Sequence, residues 1–365
     1  MKKLLVILLC AVWSAGGIAT AQRPAPQPRK VQNVILMIGD GMGLGQVAAL
    51  MIENQYRPTA FDRAQYTAIC KTYSANNRVT DSGAAATAMA TGHKTDNSRI
   101  GTLPDGKAVG NLTEMAKAKG LATGIVVTSH LADATPAGFI AHTADRHDSD
   151  KIAAAYADFP VDVAVGGGRR FFEKQANGVD GIARLQAAGY TYAATPEAFY
   201  AVNRTPVIGL FADKYMQPAA GRGENYLERA TEHTLALLSR NKKGFFVMIE
   251  GSQIDGACHK NDIRQMLGEM RDFDRAVNRA FDFADKNPGT LVVVVADHET
   301  GGLTIVSNNR DFTVAESGIE YRYSTTGHSG TPVIAYAYGA GAYHFSGVMQ
   351  NTDIFRLVKA LLIEP

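Results

Sequence analysis

Eight short runs of this chain are almost unbroken in apolar, largely β-branched residues: Val34–Ile38, Tyr66–Lys71, Gly124–Thr128, Val161–Val165, Pro206–Leu210, Phe245–Ile249, Leu291–Ala296 and Pro332–Tyr336. A strand with one wet face alternates apolar and polar residues, whereas a strand covered on both faces has no need to. Stretches of helical spacing lie between the runs, at 44–54, 111–119, 224–240 and 262–286, and another at 352–363 closes the chain. Strands alternating with helices predict an α/β fold, a mostly parallel sheet with helices on both faces. No internal repeat and no second linker interrupts the pattern, so residues 33–365 are expected to form a single domain. A chain of 365 residues is long enough to bury such a core.

The first 21 residues follow a different logic. Lys2 and Lys3 precede an apolar run from Leu4 to Trp13, and small residues then lead to Ala19, Thr20 and Ala21. That order is the pattern of a secretory signal, with cleavage expected after Ala21. The run is too short to cross a bilayer as a helix, and Leu9 before Cys10 argues against a lipoprotein signal. Residues 22–32 are Pro-rich and polar and read as an extended linker. The mature protein is therefore expected outside the cytoplasm, in the periplasm or the external medium, without stable membrane insertion. Losing the two signal lysines leaves equal numbers of basic and acidic side chains. The basic excess of a nucleic-acid binder is missing.

Cys70 and Cys258 remain after cleavage. A domain of this size needs no covalent staple, so two buried free thiols are expected rather than a bridge.

Three of the apolar runs lead directly into an acid: Val34–Ile38 through Gly39 to Asp40, Phe245–Ile249 to Glu250, and Leu291–Ala296 to Asp297. Ligands of open α/β sheets bind beyond the carboxyl ends of the strands. One acid after a strand is ordinary, but three delivered to one edge make a candidate metal cluster. His298 follows Asp297 directly, and glycines soon after permit a tight turn. Asp255 and His259, four apart, share one face of a helical turn, and imidazole with carboxylate suits Zn²⁺ whereas an all-oxygen set suits Mg²⁺. Cys258 competes for that face, and His259 is the favoured ligand.

Ser82, in the run Thr80-Asp81-Ser82-Gly83, precedes small helix-compatible residues that end at Gly92. It is read either as a simple helix cap or as a nucleophile in the anion-favouring field of a helix N-terminus. Asp81 and Thr80 are expected to brace the turn. Arg146 lies among acids in Asp145-Arg146-His147-Asp148, downstream of Asp133 and Thr135. A guanidinium can present a planar fork to two phosphate oxygens, although a surface ion pair is the commoner use of such a group.

The strings NVILMIGDGMG, VTDSGAAATAMATGHKT, DATPAGFIAHTADR, DVAVGGGRRFF, KGFFVMIEGSQID, VVVVADHETGG and TTGHSGTPV occur in this order over nearly the whole mature chain. Together they resemble the bacterial alkaline phosphatases. The resemblance implies a three-layer α/β/α sandwich that hydrolyses phosphate monoesters through a phosphoserine. Ser82 is then the nucleophile and Arg146 the phosphate clamp. Two zinc ions are implied, one held by Asp255, His259 and His328, the other by Asp297, His298 and Asp40. One magnesium is implied on Asp40, Thr135 and Glu250, with Asp133 behind it. His328 enters through the resemblance alone. A homodimer is the family's usual state.

Departures from the family are visible as well. Gly256 stands where some members carry Lys, His or Trp, which leaves open what occupies the third metal site. The 29 residues between His298 and His328 leave room for only a small surface insertion. The competing readings are a phosphodiesterase or sulfatase of the same superfamily and a non-catalytic exported binder of zinc or phosphate. Sulfatases need a C/S-x-P-x-R setting, but Ser82 is followed by GAAA; diesterases commonly use Thr and lack the Arg clamp. A binder would be expected to have lost a ligand, and none is lost. The remaining histidines, His93, His130, His142, His147, His233 and His344, are read as structural or solvent-exposed.

Overall fold

The computed structural model describes residues 30–173, 178–223, 225–309 and 318–365. The expected signal at 1–21 lies outside the described residues, as does most of the Pro-rich stretch 22–32.

Ten strands build one sheet: β1 (Asn33–Gly39), β2 (Tyr66–Lys71), β3 (Ala122–His130), β4 (Val163–Gly167), β5 (Thr191–Ala193), β6 (Val207–Leu210), β7 (Phe245–Gly251), β8 (Thr290–Val295), and, late in the chain, β13 (Val333–Gly339) and β14 (Gly347–Gln350). Two short ladders stand apart, β9 (Glu299–Thr300) on β12 (His328–Ser329) and β10 (Thr304–Ser307) on β11 (Ile319–Arg322). The sheet order is β14-β2-β13-β8-β1-β7-β3-β4-β6-β5, and every pairing is parallel except those of β13. The mostly parallel α/β sheet expected from the sequence is present. The central strands explain their unbroken apolarity: Val34–Ile38 and Leu291–Val295 are fully buried. Each such side chain contributes roughly 1.5–3 kcal/mol by leaving water.

One run departs from that reading. β2 alternates, with Thr67, Ile69 and Lys71 exposed and Ala68 and Cys70 buried. It lies one strand from the sheet edge, beside the four-residue β14, where little covers its second face. Its composition matched a central strand because an apolar run does not record which strands flank it.

Helices cover the sheet from two sides. The 24-residue helix Ile263–Lys286 turns Met266, Met270, Phe273, Val277 and Phe281 inward at helical spacing. It packs on β8, β7 and β1 and on the helices Leu44–Glu53 and Tyr226–Leu238. The helices Ser82–Thr91, Ala134–Gly138, Leu112–Ala118 and Asn351–Val358 pack together as a second group. Cys70 and Cys258 are both buried and free, as expected.

Register delivers the acids to one place. On β1, Ile38 lies opposite Glu250 of β7 and Val295 of β8. Asp40, Glu250 and Asp297 therefore emerge at the same carboxyl edge, from three adjacent strands.

Candidate active site

The edge of β1, β7 and β8 crowds carboxylates that each keep one oxygen without a hydrogen bond. Asp40 Oδ1, Glu250 Oε2 and Asp297 Oδ2 are buried without a hydrogen-bond partner, and such groups are costly unless something neutralises them. Burial pushes the Asp40 carboxyl well above its usual range, and the charges of Asp297, Asp255, Glu250 and Asp133 push the same way. Glu250 is raised first by burial and then by Asp133, against hydrogen bonds from Ser252 and Thr135. Mutually repelling acids in a dry site, each with an oxygen to spare, fit a bound cation.

His298 sits at the centre. Its Nε2 lies 3.2 Å from Asp297 Oδ2, 3.5 Å from Asp40 Oδ1 and 3.2 Å from Ser82 Oγ. One ring nitrogen cannot serve three oxygens by donating one proton, whereas a metal placed among them can. Asp40, Asp297 and His298 have ligand atoms within 4.8 Å of one another, and so do Asp255, His298 and His328. His259 completes the second group, its Nε2 3.1 Å from Asp255 Oδ2 and 3.3 Å from His328 Nε2. The hydrogen bond with Asp255 pushes His259 up to about 9. Burial alone would raise Asp255, yet the hydrogen bond from His259 and the charges of His298, His259 and His328 hold it below the carboxylate range.

Outer contacts fix these rings. His328 Nδ1 meets Thr80 O at 2.9 Å, His259 Nδ1 meets Thr326 O at 2.6 Å, and Thr300 Oγ1 lies 3.2 Å from His298 Nδ1. Such partners set which nitrogen is left for a metal. Thr300 also donates to Asp255 Oδ1 at 2.5 Å. Gly41 admits this packing, with φ +72° and space so tight that an added Cβ would stand 2.8 Å from Thr300 Oγ1. Its amide donates to Asp297 Oδ1 at 3.1 Å.

Ser82 opens the helix Ser82–Thr91, but it is not the cap. Asp81 holds that position, accepting from Ala84 N at 2.9 Å, which leaves the buried Ser82 hydroxyl facing His298. The other Asp81 oxygen accepts from Ser98 N at 2.9 Å and from Arg146 Nη1 at 3.0 Å. Thr80 Oγ1 donates to Asp81 O at 2.9 Å, so both residues brace the turn as expected. Arg146 is further held by Asp133 at 3.7 Å, while Asp133 accepts from Ala134 N at 2.9 Å, at the start of the short helix that carries Thr135. Arg146 is thus oriented beside the cavity that Asp40, Ser82 and Asp133 line, not spent in a surface pair.

Asp40, Glu250 and Asp297 leave strands at this edge, Ser82, Thr135, Asp255 and His259 reach it from helices and their ends, and His328 from the short ladder with β9. Among the six other histidines, His142 and His233 make structural hydrogen bonds, to Glu114 and Gly101 O and to Val202 O. His130 is buried between the rings of Phe171 and Tyr215. Sequence reasoning missed Thr300, Tyr215 and Gln253. Thr300 lies in the DHETGG turn, two residues beyond His298, and that proximity was the available signal. Tyr215, pushed up to about 12 by the charge of Asp133 and then by burial, had none.

The alkaline phosphatase family model matches residues 31–318 of this chain. Alkaline phosphatase 4 of Bacillus subtilis is 32% identical, across 98% of this chain and 97% of that protein. Alkaline phosphatase of Escherichia coli is 31% identical, across 95% of this chain and 89% of that protein. The structure of alkaline phosphatase from the Antarctic bacterium TAB5 superposes with a TM-score of 0.85 at 34% identity, covering 91% of this chain and 98% of that one.

Proposed function

This chain belongs to the alkaline phosphatase family and is an enzyme that hydrolyses phosphate monoesters, and from that premise we propose a route through a covalent phosphoserine on Ser82. The observation that carries the reading is the convergence of Ser82 Oγ, Asp40 Oδ1 and Asp297 Oδ2 on His298 Nε2, with Arg146 braced by the neighbouring Asp81.

Metal dependence follows from the family. Two Zn²⁺ would be held by Asp255, His259 and His328 and by Asp40, Asp297 and His298, and one Mg²⁺ by Asp40, Thr135 and Glu250 with Asp133 behind. When bound, these ions supply Lewis-acid charge that neutralises the phosphate oxygens and favours the ionised serine and the departing alkoxide.

The chain's own residues do the rest. Arg146, fixed by Asp81 and Asp133, binds non-bridging phosphate oxygens through two N–H groups and sets phosphorus in front of Ser82. Ser82 Oγ gives up its proton and attacks, the P–O bond to the alcohol breaks, the leaving oxygen takes up a proton from water, and the phosphoryl group rests on Ser82. Water then attacks phosphorus from the side the alcohol vacated, releasing phosphate and restoring the hydroxyl. Arg146 keeps its hold throughout, so the phosphoryl group passes from the alcohol oxygen to Ser82 and on to water without leaving the site.

The reading extends to a single catalytic domain over 33–365, export directed by residues 1–21, and a homodimer. No helix among the described residues is long and apolar enough to cross a membrane.

The test is hydrolysis of p-nitrophenyl phosphate by the purified mature chain, before and after EDTA and after Zn²⁺ and Mg²⁺ are restored, with the bis-ester and the sulfate ester run in parallel. Monoester turnover that EDTA abolishes and the two metals restore is expected. Turnover confined to the diester or the sulfate would overturn the reading.

A further inference from the structure

The cavity that holds Asp40, Ser82 and Arg146 has a volume of about 650 Å³, and part of its wall is the segment Tyr215–Pro218. That segment follows β6 at the carboxyl edge of the sheet. Its backbone is fixed from below. Gln253 Nε2 donates to Met216 O at 2.9 Å, Gln217 O at 3.2 Å and Thr128 O at 2.8 Å. The next side of the segment lies so close to β4 that a Cβ on Gly167 would stand 2.2 Å from Lys214 O.

On this fixed backbone the Tyr215 ring packs against His130, centroids 4.8 Å apart, and His130 packs in turn against Phe171 at 4.8 Å. His130 is buried, whereas Tyr215 remains 49% exposed at the cavity end of the stack. The same cavity is bordered by Gly256, where an added Cβ would meet nothing within 4 Å. A phosphate group placed at Ser82 and Arg146 needs only part of this space, and the ester's alcohol must occupy the rest. An ordered ring that stays half exposed, with Lys214 Nζ 5.1 Å from its centroid, in a cavity left open at Gly256, suits a flat partner better than a flexible chain.

Resting on the phosphomonoesterase reading, we propose that Tyr215 is a specificity-determining residue that receives the leaving group, and that the favoured esters carry a planar aromatic alcohol. Contact with the non-reacting part of the substrate is made in the ground state and the transition state alike, so it acts mainly through KM. An aromatic contact of this kind is worth roughly 2- to 12-fold.

The experiment measures kcat/KM for phenyl phosphate and for glycerol 2-phosphate with the metal-loaded wild type, Tyr215→Ala and Tyr215→Phe, together with inhibition by inorganic phosphate. Phenyl and alkyl leaving groups differ in intrinsic reactivity, so the quantity read is each variant's aryl-to-alkyl ratio relative to the wild type. Tyr215→Ala is expected to lower that ratio about 5-fold through KM, while Tyr215→Phe keeps it and phosphate inhibition stays unchanged in both. An unchanged ratio in Tyr215→Ala overturns the inference alone. Equal losses on both esters with weaker phosphate inhibition overturn it too, placing Tyr215 in the phosphate site instead. Failure of the wild type to turn over either ester would overturn the phosphomonoesterase reading, and this one with it.

Discussion

Ser82 Oγ stands 3.2 Å from His298 Nε2, across 216 residues of chain. The serine is delivered by the first turn of a helix capped by Asp81, the histidine by the turn that follows β8. Each is positioned by its own element, and the fold brings the two into hydrogen-bond distance.

Replacing Ser82 therefore separates chemistry from architecture. Ser82→Ala removes the attacking oxygen and leaves the cap, the carboxylates and the imidazoles in place. Turnover is expected to fall by at least about 10³-fold, as for loss of a covalent nucleophile, with metal content measured by mass spectrometry near normal. Loss of metal in this variant would make Ser82 a structural residue.

Asp297 gives the opposite pattern. It is fully buried, bonded to the amides of Gly41 and His298, and held below its usual range by the His298 imidazole against the opposing effect of burial. Asp297→Ala is expected to cost one equivalent of metal. It should also destabilise the fold by roughly 3–5 kcal/mol, the cost of breaking a buried charged pair, read as a lower midpoint in urea. Full metal retention would remove Asp297 from the ligand set.

Arg146 should act on affinity for phosphate. Its guanidinium is oriented by Asp81 and Asp133, and hydrogen bonds to charged groups contribute about 1.5–3 kcal/mol. Arg146→Ala is expected to lower kcat/KM by roughly 10- to 100-fold and to weaken inhibition by inorganic phosphate. Arg146→Lys should recover only part of the loss, because an ammonium lacks the planar fork. Unaltered phosphate inhibition in Arg146→Ala would count against the clamp.

Asp40, Glu250 and Asp297 were legible because each ends an apolar run, and parallel strands bring such ends to one edge. Asp255 and His259 were legible from helical spacing. His328 was invisible to spacing because it reaches the site on a two-residue strand paired with β9, a non-local contact with no periodic signal. Tyr215 was hidden for a related reason: its position depends on the Gln253 amide and on the room left by Gly167. The uneven burial of β2 likewise depends on its neighbours in the sheet. Local pattern fixed the elements and the chemistry at their ends, while loop placement came from packing.

Beyond the active site, His142 predicts a pH dependence of stability. Its Nε2 lies 2.7 Å from Glu114 Oε1 and its Nδ1 2.8 Å from Gly101 O. The hydrogen bond to Glu114 raises His142 above its ordinary 6.5, against burial and assisted by Gly101. Burial would raise Glu114, but the bonds from His142 and the Asn111 amide bring it below its ordinary 4.5. A raised histidine contributes stability that is fully present below 6.5 and is lost as pH rises through its folded value; a depressed glutamate contributes above 4.5 and is lost on acidification. The pair is therefore most stabilising between these two limits. His142→Gln keeps a hydrogen-bonding group but no titrating charge. With metals in excess, the melting temperature of the wild type should exceed that of His142→Gln by roughly 2 °C near pH 6, for about 1 kcal/mol. The gap should narrow steadily as pH rises above 6.5 and through the raised folded value, as the imidazole loses its proton. A gap of constant size over that range would assign the contribution of His142 to packing and neutral hydrogen bonds instead of charge.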